Sequence, residues 1–442
     1  MLAPLLAFSD ADWVARLPAT LAPALVALAL HAALRRWWGC ERGTADLAAV
    51  AVLLLPMNVW NVLVTTDTPL VLLSAGSLLA FARAAQLGAA RWFLAAGVLL
   101  GLAFLSKYLA VMLGLAYLAW AAAARRWGAF ALVFAGALPF ALLNLWSNYN
   151  ACWSNLMFNA VVRHQDDGGW SLATPALYAA ALAYCAAPLF WHAWRGRAEL
   201  ARTWSRPAER ALLLAWLVPL AVFAALSPVK RIGLHWLLSF LPALVASLAL
   251  GLGRERLAAC ARALAGFALL HVLVIGVAAA LPLEAWRGSA YLHSRLVLMA
   301  RTGEVLAALG SLRERYALAA DSYSIAAHLA YRSRRDVPVF GAGSSHARQD
   351  DIQTDWRGYD GRDLLVLRRE APPLADYRPY FRELELRTIE VRGAIFHAVL
   401  GRGFDYAAYR DAVLRRVRER YYRIPAWLPA GRCYFLERYF PA

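Results

Sequence analysis

Up to about residue 282 the chain is a succession of apolar runs, most of them near the length needed to cross a hydrocarbon core of about 30 Å. That pattern excludes an ordinary soluble domain. Hydrophobic residues fill 61% of the 442 positions and charged residues only 17%. The runs predict about ten membrane-crossing helices, at roughly residues 19–38, 46–64, 69–84, 92–106, 108–124, 127–146, 172–193, 210–226, 234–251 and 262–282. After Pro282 charges occur throughout and no spanning run follows. Tyr316–Ala320, Val337–Phe340, Leu364–Leu367 and Glu385–Val391 read as strands there, and Arg295–Ala308, Ser324–Arg332 and Tyr406–Arg420 as helices. Gly341-Ala-Gly343 and Gly401-Arg-Gly403 read as turns, since neither fits a dinucleotide or phosphate-loop fingerprint. The expected fold is mostly α: a polytopic helical membrane domain over residues 1–282, then a small α/β domain over residues 283–442.

Basic residues orient this domain, because Lys and Arg collect in the short loops that stay cytoplasmic. One set of alternate boundaries carries Arg35, Arg36, Arg42, Arg83, Arg91, Arg125, Arg126, Arg195, Arg197, Arg202, Arg206, Arg210, Arg254, Arg256 and Arg262. The other set carries only Arg16, Lys107, Arg163, Lys230 and Arg231. Fifteen against five places both termini outside, in the periplasm of a Gram-negative cell, with the chain in the inner membrane. The net charge of +17 is then largely a topogenic signal plus a basic outer domain, and no nucleic acid is needed as a partner. Of the five cysteines, only Cys152 and Cys433 could meet an oxidising compartment together. Their spacing gives little reason to pair them.

Only two of the 46 basic residues are lysines, Lys107 and Lys230, and both fall at outer-face helix ends. In a background where arginine serves wherever charge suffices, such survivors mark places where a compact ammonium is wanted. Lys107, followed by Tyr108, has almost no loop around it, so it either snorkels to the interface or meets an anion. In Lys230-Arg231-Ile-Gly-Leu-His235-Trp236, two cations precede an indole at the entrance of a span. That arrangement suits a phosphate whose lipid tail lies in the bilayer. Asn58-Val-Trp-Asn61-Val-Leu-Val-Thr65-Thr66-Asp67-Thr68-Pro69 puts a carboxylate between two spans, with Pro69 as an opening helical residue. Asp67 or Thr68 also reads as a simple helix cap.

The longest outer loop, from Asn144 to Trp170, repeats Asn and Trp at near-helical spacing and includes Asn155 and Asn159. Its amphipathic character predicts a stretch along the membrane surface, and amides with indoles suit a saccharide. His164, beside Asp166 and Asp167, reads either as a structural histidine or as a ligand of a divalent metal ion.

Arg16-Leu-Pro18, Thr65-Thr-Asp-Thr-Pro69, Gly101-Leu-Ala-Phe-Leu-Ser-Lys-Tyr108, the Asn-and-Trp loop ending Arg163-His164, and Lys230-Arg231 before His235-Trp236 resemble segments of glycosyltransferase family 39. That family includes protein O-mannosyltransferases and lipid A aminoarabinose transferases and shares the GT-C membrane fold. Ala320-Asp321-Ser-Tyr323 and the residues up to Tyr331 are similar to the start of the periplasmic domain in its bacterial members. The resemblance implies transfer of one sugar from a polyprenyl-phosphate donor to a lipid, glycan or protein acceptor on the outer face of the membrane. No nucleotide is involved.

Under that resemblance Asp67 corresponds to the family's second outer-loop acidic residue. Lys107, Lys230 and Arg231 fall where cations hold the departing phosphate, with Arg163 grouped beside them. Asn58, Asn61, Tyr108, Asn155, Asn159 and Trp236 are then candidates for holding sugar or acceptor. Family members usually carry a first span and an acidic outer loop before the stretch that Met1–Pro18 resembles, so Asp10 and Asp12 are not its equivalents. The expectation is either a start placed too late or a lost principal acid. Two other readings remain: a flippase or export component for lipid-linked saccharide, which would need polar groups near mid-membrane where His271 is nearly alone, and a catalytically silent homologue.

Overall fold

The structure, a computed structural model, describes residues 9, 11–59, 67–161, 169–343 and 346–441. Among them, six helices are long and apolar enough to cross a membrane: α1 (Asp12–Trp37), α3 (Asp67–Leu87), α6 (Trp127–Tyr149), α7 (Ala173–Arg195), α8 (Pro207–Leu226) and α10 (Arg254–Ala280). Between them lie α2 (Arg42–Leu53) and three shorter apolar segments: α4 (Ala90–Ser106), α5 (Val111–Ala124) preceded by a 3-10 turn at Tyr108–Ala110, and α9 (Leu241–Gly251).

Two predicted spans differ from this. The run at 46–64 is helical only through Leu53, turns at Leu54 and Leu55, and resumes as the short Pro56–Val59 helix. Twelve residues reach only about 18 Å. Pro56 is the cause, since its ring and missing N–H stop a helix and push the preceding residue out of the α region. The run at 234–251 begins as a 3-10 turn, Leu234–Leu237, and becomes α9 only where Pro242 sits in the first turn.

The chain divides into two compact units, Met1–Leu145 with Asp167–Gly276, and Trp146–Asp166 with Val277–Ala442. In the first, an aromatic cluster joins α3, α4 and α5. Phe81 stacks on Tyr117 at 4.0 Å and meets Phe93 and Trp120 edge-on at 5.4 and 5.1 Å. Buried Ser77 donates to the Ala96 carbonyl at 2.8 Å and shares a 2.9 Å hydrogen bond with the Tyr117 hydroxyl. Small residues bring α4 and α6 together: a Cβ on Gly97 would lie 2.1 Å from the Val133 carbonyl oxygen, and one on Gly136 2.5 Å from that of Leu94. Backbone on both sides cannot yield, so close approach of these helices requires glycine.

The second unit is built on a four-stranded sheet of order β1-β2-β4-β3, with β1 (Ala317–Ala320), β2 (Leu364–Arg368), β3 (Phe381–Val391) and β4 (Ala394–Phe404). β1 runs parallel to β2, and the other pairs are antiparallel. Helices α11 (Ala290–Ala308) and α12 (Tyr323–Ser333) pack near it, and a helical stretch with a π-turn follows from Tyr406 to Tyr421.

Three expectations are corrected here. Val337–Phe340 forms only an isolated bridge, Val339 to Ala320. Gly401 and Gly403 belong to β4, because the absent Gly401 side chain leaves room for the Phe381 ring on the neighbouring strand. The hairpin turn is instead Arg392-Gly393, both residues at positive φ (50° and 78°), as a two-residue turn with right-handed strand twist requires. The structure also joins Cys152 to Cys433, residues 281 apart in sequence. The Cys152 N–H donates to the Arg432 carbonyl and the Trp153 indole to that of Pro429, so the 146–161 segment is tied to the C-terminal strap by backbone as well as sulfur.

Beside that strap lies a buried polar knot. His346 Nδ1 meets Asp351 Oδ1 at 3.0 Å, His346 Nε2 meets the Gly341 carbonyl at 2.8 Å, and the Tyr422 hydroxyl donates to Asp351 Oδ2 at 2.6 Å. Burial and the neighbouring Asp351 push the Asp350 carboxyl up to about 6. A group whose folded pKa is raised contributes stability that is present at low pH and lost as pH climbs through the folded value. Asp350→Asn, which mimics the protonated form, should therefore raise the melting temperature at pH 8, with a gain that shrinks steadily as pH falls through the folded value toward the ordinary carboxylate range, as read by thermal unfolding of the two proteins side by side. Non-reducing peptide mapping should recover a Cys152–Cys433 linked pair, and Cys433→Ser should destabilise the second unit by about 2–5 kcal/mol.

Candidate functional site

α4 ends at Lys107 because that residue leaves the helical region for an extended conformation, φ −164° and ψ 134°. The break separates α4 from the turn leading into α5 and turns the lysine toward the start of α3. There Asp67 is the first helical residue, where a carboxylate interacts favourably with the positive end of the helix dipole. Lys107 Nζ donates to Asp67 Oδ1 at 2.6 Å, with 22% and 12% of the two side chains exposed. Asp67 also lines a narrow cleft with Asn58, Thr68, Val26, Leu238 and Pro242. The Asn58 amide donates to the Val52 carbonyl across the turn that Pro56 imposes.

Tyr108, next to Lys107, stacks on Phe104 at 4.9 Å and donates its hydroxyl to Asn144 Oδ1 at 3.0 Å. Lys230 follows the end of α8, where its N–H donates to the Leu226 carbonyl. Arg231 is exposed, and Trp236 lies 5.8 Å from Phe223. A Cβ on Gly233 would come within 2.9 Å of both the His235 and Trp236 rings, so glycine lets this loop fold over itself. The loop leads into the start of α9, whose Pro242, with Leu238 just before it, lines the Asp67 cleft.

Asn155 and Asn159 lie in the second unit on a helical turn. There the Asn159 amide donates to Asn155 Oδ1 at 2.7 Å and to the Asn155 carbonyl at 2.9 Å. Asn61, Arg163 and His164 lie outside the described residues, as do Asp166 and Asp167. Among the described residues no group of three or more His, Cys, Asp or Glu side chains could hold a metal ion. The structure therefore unites Asp67 with Lys107 and with Asn58, and Tyr108 with Asn144. Thr68 and Pro242 join the cleft without having been singled out in the sequence. Thr68 could have been, from its place beside Asp67; Pro242 carries no polar signal at all.

The ammonium has three N–H donors, and the Asp67 contact uses one of them. A group at this point can bond the carboxylate and still offer N–H donors to a second anion. His271, the mid-span polar residue, is engaged with the Tyr184 hydroxyl at 2.7 Å and the Phe267 carbonyl at 2.8 Å, which places it in helix packing.

Residues 4–147 match the sequence family described as Dolichyl-phosphate-mannose-protein mannosyltransferase. No protein of curated function matches the chain. Two solved structures of ArnT from Cupriavidus metallidurans share its fold at 16% identity. The apo state superposes with a TM-score of 0.54 over 88% of this chain and 83% of that one. The form bound to undecaprenyl phosphate superposes with a TM-score of 0.55 over 88% and 84%. Residues 4–147, the first third of the chain, are thus similar to that mannosyltransferase family, and the chain over most of its length shares the GT-C fold of ArnT.

Proposed function

We propose that this chain is a membrane glycosyltransferase that moves one sugar from a polyprenyl-phosphate-linked donor to a lipid, glycan or protein acceptor on the outer face of a bacterial inner membrane. The observation that carries this reading is the Asp67–Lys107 pair: a carboxylate and a cation held at 2.6 Å beside a cleft, in a chain with the GT-C fold. The undecaprenyl phosphate bound to ArnT supports a polyprenyl carrier of the same chemical class. In the proposed reaction the acceptor oxygen or nitrogen attacks the anomeric carbon, and the bond from that carbon to the phosphate oxygen breaks. Its electron pair leaves with the polyprenyl phosphate. Asp67 takes the acceptor's proton, the role a carboxylate fills in general base catalysis. Lys107, with Lys230 and Arg231 on the loop before α9, stabilises the phosphate charge that develops, an effect strongest for fixed cations in a water-poor cleft.

Membranes carrying the full chain, supplied with a panel of undecaprenyl-phosphate pentoses and hexoses, should release undecaprenyl phosphate above control membranes. No release from any donor would overturn the reading. With an active donor in hand, Asp67→Asn should lower release by about 10²-fold, the scale of lost acid–base assistance. A helix cap alone predicts almost no change, since Asn caps as well as Asp. Lys107→Ala should weaken undecaprenyl phosphate binding by about 10- to 100-fold, as loss of a charged hydrogen bond of about 1.5–3 kcal/mol implies. Because that change strands Asp67, the comparison should include Asp67→Asn with Lys107→Ala, which removes both charges. Equal binding by all three proteins would remove Lys107 from the phosphate site. A reporter fused after Ala442 should be active only when translocated, and one near Arg202 only in the cytoplasm.

A further inference from the structure

The second unit holds a cleft of about 700 Å³ with no part in the proposed transfer site. It lies at the free edge of the sheet, where β1 begins, below the end of α12 and beside the turn that enters β2. Five arginines line it: Arg313, Arg315, Arg332, Arg335 and Arg362. Three carboxylates share the lining, Glu314, Asp336 and Asp363, and Asp363 is already engaged in accepting the Gly403 N–H at 3.0 Å. The balance is positive. Arg313, Arg315, Arg335 and Arg362 make no salt bridge among the described residues, whereas Arg357, Arg387, Arg392, Arg402 and Arg410 of the same unit do.

Two of these guanidinium groups are also held in place. Arg315 lies over the Tyr316 ring with its carbon 5.8 Å from the centroid, and Arg362 over Tyr359 at 5.3 Å. Stacking on a ring face fixes the plane of a guanidinium while leaving its in-plane N–H edges to donate, the geometry that takes phosphate or carboxylate bidentately. The lining also includes Ser333, whose buried hydroxyl has no hydrogen-bond partner. The volume falls within the roughly 300–1,000 Å³ of sites that enclose small ligands.

We infer that this arginine cleft is an anion-binding site for a phosphate-bearing ligand, held by Arg313, Arg315, Arg335 and Arg362. The inference stands apart from the transfer reading and would survive its failure. The ligand is either a phosphorylated lipid headgroup or a soluble polyphosphate, and the two differ in whether an acyl chain improves binding.

The test is calorimetric titration of the full chain in nonionic detergent with inorganic tripolyphosphate and, separately, with dihexanoyl phosphatidic acid as the lipid probe. Wild type should bind at least one of them saturably, and Arg335→Ala with Arg362→Ala should weaken that binding at least tenfold without lowering the melting temperature. A control of equal charge loss, Arg387→Ala with Arg410→Ala, should bind as wild type. Preference for the lipid probe assigns the headgroup source, and preference for tripolyphosphate the soluble one. Absence of saturable binding to either probe, or equal weakening by the control pair, overturns the site and reduces the effect to the overall charge of +17.

Discussion

An ammonium and a carboxylate in contact between apolar helices impose most of the local order in the helical unit. Either charge alone, largely buried among apolar helices, would be left without a counter-charge, so each is tolerated because the other is there. Contact demands that α4 stop at Lys107, and the extended backbone at that residue meets the demand. Had the run from Ala90 to Ala124 continued as one helix it would have been about 50 Å long, far beyond a 30 Å core. The break thus divides an overlong apolar run and delivers a cation to Asp67 at once. The cluster of Phe81, Phe93, Tyr117 and Trp120, with Ser77 bonded to both neighbouring helices, then fixes α3 against α4 and α5, so that the two charges meet at a set distance.

Much of the helical architecture was legible in the residues, because apolar length is a one-dimensional signal. The failures have local causes. Pro56 sits inside a run that is apolar by composition, and hydropathy does not register that a proline ring ends a helix. In the second unit, Gly401 and Gly403 resemble a turn when read alone. Their neighbour Phe381, twenty residues earlier, is what makes glycine suitable for a strand, and that relation exists only after β3 and β4 pair. The true turn at Arg392-Gly393 carries one glycine and one arginine, a weaker signal than the glycine pair that drew attention. Cys152 and Cys433 pair across 281 residues, a distance over which spacing says nothing.

The Asp67–Lys107 pair was legible in its members and not in their contact. Lys107 stood out because lysine is almost absent, and Asp67 because carboxylates between spans are rare. Their contact joins positions 40 apart, and no periodicity links them. Asn155 and Asn159 show the opposite case. Four residues apart on a helical turn, they satisfy each other, which the spacing alone could have indicated. The arginine cleft was hidden for a different reason: against 44 arginines, five converging ones have no signature until the fold brings Arg313, Arg332 and Arg362 to one edge of a sheet.

The contrast between the two basic sites follows from the chemistry of their cations. A guanidinium opposite Asp67 would engage it bidentately, using the edge of its fork and saturating both oxygens in one fixed plane. An ammonium occupies one oxygen and keeps two donors in hand, so Lys107 can bind the carboxylate and remain open to another anion. In the cleft the requirement is reversed. There the guanidinium planes of Arg315 and Arg362 are held by tyrosine rings and present fixed edges to solvent, an arrangement a flexible, strongly hydrated ammonium does not reproduce. In a chain that uses arginine for nearly every positive charge, Lys107 is thus a cation whose bond to one carboxylate oxygen leaves its other donors in hand.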